Sequence, residues 1–199
     1  TRIGGFGGED AFRAYLSDEG ITAVLDATHP FASQISDRTA RVCTQLRVPY
    51  AQVVRPEWTP AAGDQWIDID APEEAADHIA QTATVFLATG RQTLARFANL
   101  EGRRVLARMI DPPTAPFPFE GGEFVIARPP FPQDREEALF KALGVTHLVV
   151  KNAGGQGGRA KLDAARTLGL PVVMLKRPEM ANVVQLETVQ DALLWVSSQ

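Results

Sequence analysis

Cysteine is almost absent. Cys43 is the sole one in 199 residues, which excludes a disulfide framework and a cysteine-based structural zinc site. A reducing compartment, the cytoplasm, is the expected location. Histidine is scarce as well. His29, His78 and His147 are scattered, with no H-x-x-x-H spacing and no carboxylate pairing, so no metal site is expected. There is no G-x-S-x-G, which removes a hydrolase elbow, and no Gly-Lys-Ser/Thr, which removes a P-loop. Apolar runs such as Val85–Ala88 and 148–150 are far too short for a bilayer. The chain starts without the charged-then-apolar pattern of a signal peptide, so no membrane partner is expected.

Lysine is the other rarity: 4 Lys stand beside 16 Arg. A GC-rich coding bias accounts for such a skew, since Ala and Gly are also abundant. The functional reading is that forked, permanently charged guanidinium groups recognise carboxylates or phosphates. The 20 basic residues face 24 acidic ones, so general polyanion binding is not expected, and nucleic acid is not an expected partner.

With 45% hydrophobic and 22% charged residues, the chain can bury a core without staples. From residue 9 it alternates between helical periodicity and short apolar runs. Helices are expected at 10–19, 33–47, 72–81, 92–100, 134–143, 159–168 and 188–197. Strands are expected at 21–25, 48–54, 66–69, 84–88, 105–110, 124–127, 146–150 and 171–175. The stripe Ile35, Val42, Cys43, Leu46 makes Cys43 a core residue. Residues 111–122 hold four prolines and read as a loop. This alternation predicts an α/β protein with mainly parallel sheets covered by helices on both faces. The looser stretch before residue 82 divides it into expected domains 1–81 and 82–199.

In open parallel sheets, ligands bind beyond the carboxyl ends of the strands. Four loops there carry the unusual residues: Gly4 to Gly8, Asp26-Ala27-Thr28-His29-Pro30-Phe31-Ala32, Thr89-Gly90-Arg91-Gln92, and Lys151-Asn152-Ala153-Gly154-Gly155. Gly155 to Ala160 fits the dinucleotide fingerprint G-x-G-x-x-G/A, with Arg177 about twenty residues on for a 2′-phosphate. The competing reading is a plain strand-to-helix turn. Phe6 offers a stacking face within a loop that allows close backbone approach. Thr89 and Gln92 have the spacing of a capping box. Asp26 has the position of a turn cap, and His78 and His147 read as structural.

These blocks, with Lys161-Leu-Asp-Ala-Ala165, Pro171-Val-Val-Met174 and Arg177-Pro178 in that order, resemble the precorrin-6A and cobalt-precorrin-6A reductases of cobalamin biosynthesis. The resemblance covers essentially the whole chain. Its Lys-Asn-Ser-Gly-Gly motif reads Lys-Asn-Ala-Gly-Gly here, which puts in doubt any hydroxyl role at Ala153. Thr1-Arg2-Ile3 reads as a strand entered halfway. The resemblance therefore implies an N-terminal piece, absent from this sequence, that carries the main phosphate loop.

The resemblance implies two Rossmann-like domains with an active site between them. It also implies NADPH-dependent reduction of a ring double bond of precorrin-6A to dihydro-precorrin-6, by a monomer or weak dimer. Expected cofactor contacts are Gly4, Gly5, Phe6, Gly7, Thr28, His29 and Pro30. Expected substrate contacts are Arg91, Gln92, Lys151, Asn152, Gly154 and Gly155, with Arg128 as a further carboxylate partner. His29 or Asp26 is the expected proton donor, since an imidazole titrates near neutrality, and water is the alternative. Two other classes share parts of the pattern: an S-adenosylmethionine-dependent methyltransferase and a non-catalytic nucleotide-binding module.

Overall fold

A computed structural model describes residues 1–180 and 182–199. In chain order it contains α1 (Glu9–Asp18), β1 (Val24–Asp26), α2 (Ser33–Leu46), β2 (Tyr50–Val53), β3 (Trp66–Ile69) and β4 (Thr84–Ala88). There follow β5 (Arg104–Met109), β6 (Gly122–Ile126), α3 (Gln133–Leu143) and β7 (His147–Lys151). The last elements are α4 (Ala160–Leu168), β8 (Val172–Leu175), β9 (Val184–Leu186) and α5 (Val189–Ser197). Two 3₁₀ segments, Pro72–His78 and Arg91–Leu100, precede β4 and β5. The α/β class and the parallel sheets are as the alternation predicted.

The division between units is not. One unit comprises Thr1–Pro56 with Pro178–Gln199, the other Glu57–Arg177, in place of the expected break at 81/82. The reason is strand pairing. β3 joins β8 from Trp66↔Val172 to Ile69↔Leu175, which commits the stretch after residue 56 to the second unit. After β8 the chain returns to add β9 to β2, from Ala51↔Val184 to Val53↔Leu186. No strand was expected at 184–186.

The first unit is a three-stranded parallel sheet in the order β1-β2-β9. Its small core joins α1 to α2 through Phe12, Leu16, Val42 and Cys43. Cys43 is fully buried, and burial pushes its thiol up to about 11, so it packs as a small hydrophobe. Phe6 belongs to this cluster too. Its ring lies 4.8 Å from that of Phe12 and 5.0 Å from that of Tyr15, with the Arg2 guanidinium 5.1 Å above it. The ring expected to stack on a ligand is therefore engaged in packing.

The second unit is a six-stranded parallel sheet in the order β3-β8-β7-β4-β5-β6. Phe86, Leu106, Phe140, Leu148, Leu162 and Met174 fill its core. The expected helices at 72–81 and 92–100 are 3₁₀ segments instead. Glu74 accepts from the backbone N–H groups of Asp70 and Ala71, but alanine cannot return the bond, so only half a capping box forms. The far ends are held by Arg103, which is 4% exposed. Its guanidinium donates to the carbonyls of Ala76, Ile79, Ala80 and Asn99 at 2.8–3.2 Å. One buried cation thus serves carbonyls at the ends of both segments: those of Ile79 and Asn99, and those of Ala76 and Ala80, which also accept from the Ile79 and Ala83 N–H groups. Among the described residues, no helix is long and apolar enough to cross a membrane.

Replacing Arg103 by Met keeps the stem but removes the donor from all four carbonyls and strands those of Ile79 and Asn99. The expected loss is about 3 kcal/mol, from charge-assisted bonds removed together. A urea titration should show a lower midpoint at unchanged slope.

Candidate functional site

The two units each present functional side chains at the carboxyl edge of a parallel sheet. In the first unit, Asp26 ends β1 and is 8% exposed. Its Oδ1 accepts from the Thr28 N–H at 2.8 Å, which makes an Asx turn. Its Oδ2 accepts from Ser36 Oγ at 2.7 Å, Tyr50 Oη at 2.8 Å and Gln52 Nε2 at 3.5 Å. Burial alone raises the carboxyl pKa, but the bonds from Ser36, Thr28 and Tyr50 outweigh it, and the net shift is downward. Burial and the neighbouring Asp26 carboxylate push the Tyr50 phenol well above its ordinary value. Asp26 is ionised and Tyr50 protonated across the neutral range.

The loop above them is a turn closed by the Ala32 N–H on the His29 carbonyl at 2.7 Å, with Pro30 at the position that prefers its fixed φ. His29 is exposed at its tip. The Phe31 N–H donates to its Nδ1 at 3.2 Å, and the two rings lie 5.7 Å apart. With Nδ1 accepting, Nε2 carries the hydrogen of the neutral ring. Thr28, His29, Pro30, Val53 and Arg55 bound a cleft of about 370 Å³. A smaller recess beside it is walled by Asp26, Ser36 and Gln52. Gln52 Oε1 is buried there without a hydrogen-bond partner among the described residues. Thr28, His29, Pro30 and Asp26 are thus brought together, as expected. Arg55, which adds a cation to the cleft, was missed; its only signal is its place just after a strand. Gly4, Gly5 and Gly7 form an exposed coil leading to α1. A Cβ at Gly4 or Gly5 would meet nothing, so positive φ at Gly4 and Gly7 (98° and 85°) rather than crowding accounts for glycine there.

In the second unit, Arg91 begins its 3₁₀ segment and donates to the Pro112 carbonyl at 3.3 Å. It faces a cavity of about 520 Å³ that also meets Arg108, Asp111, Phe131 and Lys161. Gln92 is exposed beside it. The expected capping box does not form: Gly90 caps the segment with φ 80°, and Thr89 Oγ1 is buried without a partner among the described residues. Arg128 is exposed and pairs with Asp111.

The 151–158 loop departs most from expectation. Asn152 is 6% exposed; its Oδ1 accepts the Trp58 N–H at 2.9 Å, and its Nδ2 donates to the Trp58 carbonyl at 3.0 Å. Both ends of this amide are engaged inside the protein. The Trp58 indole donates to the Gly155 carbonyl at 2.6 Å, and its ring would sit 2.9 Å from a Cβ on Gly158. Arg177 Nε donates to the Asn152 carbonyl at 2.8 Å. Trp58 thus uses the Gly155 carbonyl and crowds Gly158, which lies between the fingerprint positions, while a Cβ at Gly157 would meet nothing; Arg177 braces the loop. Gly154 and Gly155 have φ 66° and 71°. Lys151 ends β7 half-buried, its pKa lowered by burial and then by Arg96. His147 opens β7, and burial lowers its pKa. Among the described residues, no cluster of His, Cys, Asp and Glu is arranged to hold a metal.

The comparisons agree along the chain. The family model described as precorrin-6x reductase CbiJ/CobK matches residues 1–197. The precorrin-6A reductase of Rhodobacter capsulatus is 41% identical over 198 residues, covering 99% of this chain and 79% of that protein. That of Mycobacterium tuberculosis H37Rv is 41% identical over 200 residues, covering 99% and 80%. The cobalt-precorrin-6A reductase of Priestia megaterium is 28% identical over 177 residues, covering 83% and 69%. The solved structure of a CobK precorrin-6A reductase superposes with a TM-score of 0.94 at 41% identity, covering 100% of this chain and 79% of the other.

Asp26→Asn tests the loop's anchor. Asparagine presents an amide N–H where Ser36 and Tyr50 also donate, so a loss of about 2 kcal/mol is expected at pH 7. A carboxylate with a depressed folded pKa stabilises above its unfolded value of about 4, and that contribution fades as pH falls through the folded value. Denaturation at several pH values should therefore show the gap between parent and variant narrowing below about pH 4.

Proposed function

This chain belongs to the precorrin-6x reductase family, and from that premise we propose that it reduces a ring double bond of precorrin-6A with NADPH. The observation that carries the reading is agreement with precorrin-6A reductases over 99% of the chain. It favours a reductase over a methyltransferase or a silent nucleotide-binding module. The site residues are assigned here on chemistry.

The cleft of the first unit fits a nicotinamide. In the smaller recess beside it, Gln52 Oε1 is a buried acceptor with no internal partner among the described residues. Thr28 and His29 add polar groups at the mouth, Pro30 and Val53 add apolar wall, and Arg55 adds positive charge. The exposed backbone of Gly4, Gly5 and Gly7 lies free for contacts with the cofactor. When bound, NADPH supplies a hydride to one carbon of the reduced bond; a proton on the adjacent carbon completes the reaction. The protein's share is orientation. Asp26 organises the loop and, held in its ionised form by those bonds, does not serve as the acid. His29 acts first by position, its ring fixed by the Phe31 N–H. In the second unit, Arg91, Gln92 and Lys151, with the turn at Gly154 and Gly155, face the substrate's acetate and propionate groups. The reaction belongs to the cytoplasm.

Anaerobic incubation with precorrin-6A and either nicotinamide, followed by absorbance, tests the cofactor. Efficiency with NADPH should exceed that with NADH by about tenfold or more, the worth of a charge-assisted contact to the 2′-phosphate. Equal efficiencies refute the preference.

The role of His29 separates by substitution. Asparagine reproduces the acceptor for the Phe31 N–H through an Asx turn, so His29→Asn should keep turnover within about tenfold of the parent, while His29→Ala should lose more. A loss of about 10²-fold or more in His29→Asn would instead mark an obligatory proton donor.

A further inference from the structure

The chain crosses between its two units twice, between Pro56 and Glu57 and between Arg177 and Pro178. Each crossing carries a proline at the boundary, with a fixed φ and no N–H to give to a sheet. Within the first unit the crossings connect to paired strands, β2 and β9, and the Val54 N–H donates to the Leu186 carbonyl at 2.8 Å. Within the second unit they meet at one residue, Asn152. Its side chain takes the outgoing chain: Oδ1 accepts the Trp58 N–H, and Nδ2 donates to the Trp58 carbonyl and, at 3.3 Å, to Glu57 Oε2. Its backbone takes the returning chain. The Asn152 N–H donates to the Leu175 carbonyl at 2.9 Å, and its carbonyl accepts from Arg177 Nε at 2.8 Å. Glu57 Oε1 lies 3.8 Å from the same Arg177 Nε, so an ion pair links the two crossings directly. Each N–H of Asn152 thus has an acceptor inside the protein, at a residue only 6% exposed.

We propose that Asn152 is a positioning residue for hydride transfer, a staple that joins the two crossings into one pivot, and not a contact to the macrocycle. The inference rests on the reading of the chain as a precorrin-6A reductase and goes beyond it. In that reading the first unit holds the cofactor and the second the substrate, and the crossings are the covalent links between the two. A hydride passes only when donor and acceptor carbons are in contact, and a misplacement of about 1 Å costs up to about 10²-fold in rate. A body on one tether turns about every free bond of that tether. Two tethers clamped together at their base leave mainly one axis of bending, and the bending falls on the few residues at element ends that absorb φ/ψ change. Pro56 and Pro178 mark those places. The staple also ties the pivot to the substrate edge, since Lys151 precedes Asn152 and the turn at Gly154 and Gly155 follows it.

Spin labels on Ala14→Cys of α1 and Ala138→Cys of α3, both exposed sites, read the pivot in the full chain without any ligand; Cys43 is fully buried and stays unlabelled. Asn152→Ala removes the side-chain half of the staple and should widen the distribution of label distances. Glu57→Ala, at a half-exposed position, removes one partner of Asn152 and the ion pair, and should widen it less; it carries the test alone if Asn152→Ala does not fold. An unchanged distribution overturns the proposal. With NADPH and precorrin-6A, Asn152→Ala should slow a single turnover about tenfold or more, while the affinities for the two ligands, titrated separately, match those of the parent. Weaker binding of precorrin-6A at an unchanged single-turnover rate marks a substrate contact and overturns the proposal, and so does a parent rate despite a wider distribution. A parent that does not reduce precorrin-6A, in a protein whose distribution widens in Asn152→Ala, refutes the reductase reading while the staple stands.

Discussion

One ionised carboxylate governs the geometry of the first unit. Taking a carboxylate out of water costs several kcal/mol unless its lone pairs are filled, and Asp26 is filled from three directions. Thr28 donates from the loop, Ser36 from α2, and Tyr50 and Gln52 from β2. Those donors converge only when the β1–β2 register and the start of α2 are all native. The requirement that satisfies the charge thus also fixes the loop bearing His29. The second unit uses the same logic with a pair: Glu136, 1% exposed, ties α3 to β5 through Arg108. In each case removing one partner leaves a buried charge exposed to its full desolvation cost, which favours a single arrangement of the sheet edge.

The sheets were legible in the sequence because buried parallel strands are short continuous apolar runs between helical periods. Val85–Ala88, Leu148–Val150 and Val172–Leu175 are such runs, and each is a strand. What failed did so for local reasons. β9 is three residues at a sheet edge with Val184 half-exposed, so neither length nor pattern marks it; it forms because β2 offers an open ladder about 130 residues earlier. The segments at 72–78 and 91–100 have helical composition, but incomplete capping and the shared claim of Arg103 on their carbonyls leave them as 3₁₀ turns. Among the candidate site residues, Asp26, Thr28, His29 and Pro30 could be grouped from the sequence because they sit in one short block after a strand. Lys161 stood out only as part of a motif on a helix, since its place beside the cavity depends on how α4 packs against α3.

The glycine loop after β7 shows how a pattern and its cause can part. G-x-G-x-x-A spacing answers to close approach of something to the backbone, and the spacing does not say what approaches. Here Trp58 is the neighbour at two points: its indole takes the Gly155 carbonyl, its backbone is clamped by Asn152, and its ring crowds Gly158, which the fingerprint does not include, while Gly157 faces open space. That makes residues 57–58 a strut under the loop. The same strut places the Trp58 ring beside Lys161, whose Nζ donates to the Gly158 carbonyl.

A hydride and a proton must reach adjacent carbons, and the hydride asks for distance and angle more than for a protein acid. Asp26 is not suited to be that acid, because its bonds hold the ionised form. Tyr50 cannot either, because burial and Asp26 hold its proton in place. The polar network under the cleft is therefore a frame, and its groups are held in the protonation states in which they are least reactive. Such a frame can present His29 and the orphan Gln52 carbonyl at fixed positions without competing for protons.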